Sequence, residues 1–193
     1  MQKTDPQEFK KCCTVAVNFS PYDGKLVDLS EDLIRACEME SEEAVNWSKQ
    51  RQDQDNVLFD HWKRVFSNLG ESKKFQAVQR KYAKYYMDKA KSYMKELGLN
   101  TDRALCLLFD ICVQMGSIKQ ASMDRYRAEI SSSKMNEKQM LQALARSVAP
   151  QAGAWSSDVL SRKMAIASGS GVVHGEKLNL DAIFGLNDNK AIF

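Results

Sequence analysis

The longest regular pattern of apolar positions runs from about residue 71 to residue 97. The apolar residues recur at steps of three and four, which places them on one face of a helix. They are Phe75, Val78, Tyr82, Tyr86, Ala90, Tyr93 and Leu97. Gly98 follows at the position that a glycine C-cap commonly occupies. The pattern predicts one long amphipathic helix over 71–97.

The next segment, "ALCLLFDICVQMG" at 104–116, has a different pattern. At 100° per residue its apolar side chains cover one face and much of the remaining surface. A helix that is apolar nearly all round belongs in a protein core. Thr101 is suited to cap its N-terminus, and Gly116 to end it. We therefore expect a central, buried helix over 101–116.

Shorter periodic patterns fill most of the remaining chain, and clear strand alternation is scarce. They predict helices over 31–39, 41–51, 56–68, 118–131, 136–148, 155–167 and 180–185. The glycine-containing stretch "SGSGVVHGEKLNL" predicts a turn region with room for a short hairpin. The fold class that follows is all-α: a single mostly helical domain over 28–193, preceded by an irregular segment over 1–27.

Composition narrows the classes of function only slightly. A chain of 193 residues is long enough to bury a hydrophobic core. Its net charge of +3 does not require a polyanionic partner. It shows no apolar run long enough for a membrane span and no secretory signal, so we expect cytoplasmic synthesis. The five cysteines have no metal-type spacing and are expected to be free or buried thiols. No metal or other cofactor is predicted.

Asp110 is the exception in the central helix, because an ionised carboxylate among apolar side chains requires a partner. Gln114, one turn later, can hydrogen-bond it, but neutralisation must come from a cation elsewhere. The candidates are arginines in otherwise apolar helical contexts, namely Arg146 in "QALARSVAP" and Arg162 in "DVLSRKMAI". Two interpretations remain open: a purely structural ion pair, or a charge network that holds a catalytic group.

The order of several segments resembles the helical half of chitosanase-like glycoside hydrolases in the lysozyme-like superfamily. The segments are "FQAVQ", the long helix ending in "LGL", "RALCLLFDICVQMG", "LSRKMAIASGSGVVHG" and "NLDAIFGL". They span roughly residues 40–190. The closer resemblance is to bacterial and phage relatives that act on or bind peptidoglycan. What this implies is a lysozyme-like fold.

The resemblance also implies roles for particular residues. In that family the central aspartate belongs to a network with arginines that supports the catalytic glutamate. Asp110 would be that aspartate, Arg162 its arginine and Arg146 a weaker second candidate. His174 in "GVVHG" resembles a family turn and is expected to be structural or to line the cleft, and Gln114 is a further binding candidate.

The chain also departs from the family. Met115 occupies a position where chitosanases often have histidine. The family's acid and base carboxyls come from a segment that precedes the helical half, and the first residues here would align just after it. Since an inverting glycosidase needs two carboxyl groups, we expect this chain to lack the catalytic pair.

Two functions from different classes follow. The first is a glycan hydrolase-like domain, a fragment or part of a split enzyme, whose partner is a cell-wall glycan or a protein segment that supplies the catalytic residues. Peptidoglycan is preferred to chitosan, since a polycation is poorly matched to a positive chain. The second is a non-catalytic module for cell-wall binding or for assembly in a phage or injection machine. Both allow delivery to the cell envelope.

Nucleic-acid binding is a third possibility. Residues 71–97 contain eight basic and three acidic residues, with tyrosines between them. Basic residues interleaved with aromatic rings can bind single strands. However, Tyr82, Tyr86 and Tyr93 lie on the apolar face of the predicted helix, where core packing explains them. We therefore do not expect a nucleic-acid partner.

Overall fold

The computed structural model describes residues 21–22, 25–26, 30–186 and 188. The fold is all-α, as the apolar periodicity predicts. The chain divides into two compact units between Tyr82 and Ala83, here called the N-terminal and the C-terminal unit. The prediction of one domain over 28–193 stays a prediction, and the irregular segment predicted over 1–27 lies largely outside the described residues.

The N-terminal unit contains short helices and a two-residue hairpin. Strands β1 (Pro21–Tyr22) and β2 (Lys25–Leu26) pair antiparallel. The helices are α1 (Ser30–Glu38), α2 (Ser41–Lys49), α3 (Asp60–Glu71) and the first part of α4 (Lys73–Leu97). Leu33, Trp62, Val65 and Leu69 form its small core. The Trp47 ring meets the Trp62 ring edge to face, with centroids 5.2 Å apart, so aromatic packing carries much of this core.

The helix predicted over 56–68 was wrong in its bounds. The Asp53 carboxylate accepts hydrogen bonds from the backbone N–H groups of Asp55 and Val57, both at 2.9 Å. The side chain therefore holds residues 53–57 in a turn, as aspartate commonly does. Helix α3 begins only at Asp60 and continues to Glu71, where the sequence pattern had already assigned the next helix.

The C-terminal unit contains the larger core, centred on helix α5 (Asp102–Met115). It is followed by α6 (Gln120–Ser131), α7 (Glu137–Val148), a 3₁₀ helix (Ala149–Trp155) and α8 (Ser156–Ser168). Strands β3 (Ser170–Val173) and β4 (Glu176–Asn179) pair antiparallel, and α9 (Leu180–Phe184) follows them. Helix α5 packs against α7 and α8. Leu107, Leu108 and Ile111 on α5 are fully buried, which confirms the central helix.

Side-chain caps fix where these helices begin. Thr101 Oγ1 accepts a hydrogen bond from Ala104 N at 3.1 Å, as predicted. Asn136 and Gln139 form a reciprocal capping box at the start of α7. The two caps satisfy N–H groups that a helix terminus leaves without partners.

Gly171 allows strand β3 to lie close to helix α8. A Cβ atom at Gly171 would lie 2.8 Å from the Cβ of Ala165. That distance is too short for two carbon atoms, so glycine opposite alanine allows this close approach. None of the described helices combines the length and the apolarity needed to cross a bilayer.

Two tyrosines of the C-terminal unit, one buried and one half-buried, provide a test of how a hydroxyl group affects stability. Tyr126 is fully buried, and its hydroxyl has no hydrogen-bond partner among the described residues. Burial, followed by the charge of Glu137, raises the pKa of Tyr126 to about 12. The Tyr93 hydroxyl accepts a hydrogen bond from Ile118 N at 3.2 Å.

Tyr126→Phe is therefore expected to raise the free energy of unfolding by about 1 kcal/mol, since it removes an unsatisfied buried group. Tyr93→Phe should lower it by about the same amount, because the Ile118 N–H loses its acceptor. Urea unfolding followed by circular dichroism measures both. A loss of stability in Tyr126→Phe equal to that in Tyr93→Phe would contradict the assignment.

Candidate functional site

The Asp110 carboxylate binds two cations that stand next to each other on helix α8. Lys163 Nζ donates to Asp110 Oδ2 at 2.7 Å, and Arg162 Nη2 lies 3.0 Å from Asp110 Oδ1. The Lys163 ammonium also donates to Gln114 Oε1 at 2.8 Å. Helix α5 thus supplies two acceptors one turn apart, and α8 supplies the donors.

Burial differs sharply among these groups. The Lys163 side chain has no exposed surface, whereas those of Asp110 and Arg162 are 23% and 37% exposed. Asp110 is therefore less enclosed than the sequence predicted, and the most deeply buried charge of the three is the lysine. Burial lowers the pKa of Lys163, and the bond to Asp110 opposes that shift. Both carboxylate oxygens of Asp110 are thus paired with cations.

The structure brings Asp110 and Arg162 together, but it does not bring Arg146 to them. Arg146 Nε donates to Glu129 Oε1 at 3.1 Å, so its partner is on α6. The physical reason is its side of helix α7: its neighbours Ala145 and Ser147 face the core, whereas Arg146 is exposed. Arg146 thus pairs with Glu129 and not with Asp110.

His174 and Gln114 occupy different surroundings. His174 lies in the turn between β3 and β4 with φ at +51°, and 73% of its side chain is exposed. Its Nε2 is 3.4 Å from Asp158 Oδ1. Gln114 lies at the end of α5 and lines a cleft, whereas His174 is not among the residues that line it.

The cleft of the C-terminal unit has a volume of about 330 Å³. Its lining comes from the end of α5, the start of α6, the 3₁₀ helix and α8. The lining residues are Gln114, Met115, Lys119, Gln151, Ala152, Trp155 and Val159. Seventy-three per cent of Trp155 is exposed. Gly153, at φ +58°, makes the kink that precedes this tryptophan. Residues other than glycine rarely adopt this backbone conformation.

Two residues important to this unit were missed by sequence reasoning. Lys163 lies four residues from each of the buried residues Val159 and Ala167. This spacing places it on the apolar face of the helix and could have indicated that it is buried. Trp155 lies in "APQAGAW", a Pro- and Gly-containing connection between helices. A tryptophan in such a connection is a candidate for an exposed contact.

The buried Arg103 is the centre of a second charge cluster, which sequence reasoning also missed. Its side chain is 1% exposed and donates to Asp181 Oδ1 at 2.7 Å, to Ile166 O at 3.1 Å and to Asp188. The two carboxylates raise the pKa of Arg103 against the opposing effect of burial, which is the largest single cause. This cluster joins the start of α5 to the segment after the hairpin.

Among the described residues, no group of three or more His, Cys, Asp or Glu side chains is placed to hold a metal ion. Cys106 and Cys112 are free thiols, and burial raises the pKa of Cys112 to about 11. Comparison of the chain with protein-family models, curated proteins and solved structures gave no match.

Proposed function

We propose that the C-terminal unit binds a glycan in the cleft beside Trp155. The observation that carries the proposal is the exposure of this tryptophan at a cleft whose other polar side chains are two amides and an ammonium. An indole face can stack on the C–H face of a sugar ring, while amides and charged groups bond its substituents. The sequence resemblance to peptidoglycan-related proteins of the lysozyme-like superfamily supports the same ligand class.

Binding without cleavage is the version we favour. Glycoside hydrolysis in most families needs two carboxyl groups flanking the bond, and the described residues that line the cleft include no Asp or Glu. Asp110 is connected to the cleft through Lys163 and Gln114. Its oxygens bind cations and are poorly available to a substrate.

The second candidate is a hydrolase completed by another protein segment. One observation favours it: the Asp110–Lys163–Gln114 chain of hydrogen bonds ends at the cleft. Such a network can fix the orientation of a catalytic group that arrives from elsewhere. In that case soluble fragments would be released from the glycan only when the complementary segment is added.

Trp155→Ala should weaken binding to peptidoglycan sacculi at least about tenfold, which corresponds to roughly 1.4 kcal/mol or more, because tryptophan is commonly the dominant contact of an interface. The measurement is co-sedimentation of the full chain with purified sacculi, with released reducing sugar assayed in the supernatant. Tyr85→Ala is the matched control, since 55% of that ring is exposed but it does not line the cleft.

The outcomes separate the candidates. Binding without released sugar, lost in Trp155→Ala and kept in Tyr85→Ala, supports the binding module. Sugar release by the purified chain alone would overturn the non-catalytic version. Absence of binding by the unsubstituted chain would overturn the proposal itself.

A further inference from the structure

Lys163, which is not among the residues that line the cleft, determines which end of the Gln114 amide faces the cleft. Lys163 Nζ lies 2.8 Å from Gln114 Oε1. An ammonium group can only donate, so the oxygen of this amide must face Lys163. The NH₂ group of Gln114 is therefore left for the cleft, and it has no acceptor among the described residues.

Gln151 is oriented by the same logic from another element. Its Oε1 accepts a hydrogen bond from the backbone N–H of Lys119 at 3.0 Å. Its NH₂ group is 3.7 Å from Met115 Sδ, and a thioether is a weak acceptor. The second amide of the cleft thus also has its oxygen engaged and its donors weakly bound.

The remaining polar side chains of the cleft add further donors. Lys119 brings an ammonium group, and the indole N–H of Trp155 can only donate. Met115, Ala152 and Val159 offer no oxygen acceptor. The described side chains of the cleft therefore present donors and a positive charge, and both amide oxygens already accept a hydrogen bond.

We infer that the cleft selects sugar units carrying acetamido or carboxylate groups and rejects units carrying a free amine. This inference rests on the proposed function and names the ligand class for the same site. A carbonyl or carboxylate oxygen can accept from Gln114, Gln151 and Lys119. A protonated amino sugar brings donors to a cleft of donors and a second cation to Lys119, and unpaired polar groups of this kind discriminate strongly against a ligand.

The test is calorimetric titration of the full chain with two probes, the tetramer of N-acetylglucosamine and the tetramer of glucosamine, at about pH 6, where an amine is protonated. We expect the acetylated tetramer to bind at least about tenfold more tightly. Gln114→Glu retains the oxygen that faces Lys163 and replaces the NH₂ group by a second oxygen. This variant should lose about tenfold in affinity for the acetylated tetramer.

The control for the added negative charge is Gln79→Glu, at an exposed position on α4 that does not line the cleft. It should bind both tetramers as the unsubstituted chain does. Equal affinity for the two tetramers, tighter binding of the glucosamine tetramer, or an unchanged Gln114→Glu variant would overturn the inference and leave glycan binding intact. Sacculi binding with no binding of either tetramer would also overturn it. If the unsubstituted chain bound neither the tetramers nor the sacculi, the proposed function itself would be overturned.

Discussion

Asp110→Asn is expected to lower the free energy of unfolding by about 3 kcal/mol at pH 7, because it leaves the ammonium group of Lys163 buried without a carboxylate. Lys163 has no exposed surface, and Arg162 beside it on α8 is a second cation. The amide that replaces the carboxylate can still accept a hydrogen bond through its carbonyl oxygen, but it brings no charge. The loss is therefore electrostatic more than steric.

The loss should become smaller as the pH rises. Burial already holds the pKa of folded Lys163 below its usual 10.5, against the effect of Asp110. Without Asp110 the pKa of folded Lys163 falls further. The pH range below 10.5 in which the unfolded chain binds more protons than the folded chain then becomes wider. Stability rises with pH wherever the unfolded state binds more protons. The difference between the variant and the unsubstituted chain thus decreases from pH 7 towards alkaline pH.

Urea unfolding at pH 7 and at about pH 9.5 measures this effect. Asp88→Asn is the control, because Asp88 pairs with Lys84 at 2.6 Å on an exposed face of α4. An exposed pair of this kind contributes less than about 1 kcal/mol. Adding Lys163→Met to Asp110→Asn should recover much of the stability, since the unpaired charge is then gone. An Asp110→Asn variant as stable as the control would contradict the pairing.

Neutralising both carboxylates of the Arg103 cluster should lower the free energy of unfolding by about 2–4 kcal/mol. In Asp181→Asn combined with Asp188→Asn, the guanidinium group stays buried but keeps only neutral acceptors, among them Ile166 O. The expected loss is smaller than for a fully buried pair, because the two carboxylates are 46% and 41% exposed and screened by water.

A triple variant with Arg103→Met distinguishes a buried charge from lost packing. Methionine fills part of the same volume without a charge, so the triple variant should be more stable than the double one. Thermal unfolding of the three proteins at equal salt measures the difference. If the triple variant is less stable than the double variant, the arginine contributes mainly by packing.

Much of the helical architecture could be predicted from apolar periodicity. The 71–97 and 101–116 patterns gave two long helices within about two residues of their bounds, since amphipathic spacing and caps are local properties. The prediction failed at 56–68, where the Asp53 side chain forms a turn through the backbone of Asp55 and Val57. A side-chain bond of this kind is not visible in a hydrophobic pattern.

The candidate site could be predicted only in part. An aspartate in an apolar helix indicated that a cation would meet it, and Arg162 does. The second cation, Lys163, lies on the buried stripe of α8, where its spacing from Val159 could have indicated it. The cleft itself depends on how α5, α6, the 3₁₀ helix and α8 meet. Such tertiary geometry is not encoded in any one segment.

The bonds of Arg103 have a consequence for the order of events on the ribosome. The arginine lies 78 residues before Asp181 and 85 residues before Asp188. At about 5–20 residues per second, its counter-charges emerge roughly 4–16 seconds or more after it. Until that later segment has been translated, Arg103 has neither of these two carboxylates as a partner. Helix α5 therefore cannot reach its final packing before then. We therefore expect the C-terminal unit to complete its folding only after the segment that contains Asp181 and Asp188 has been synthesised.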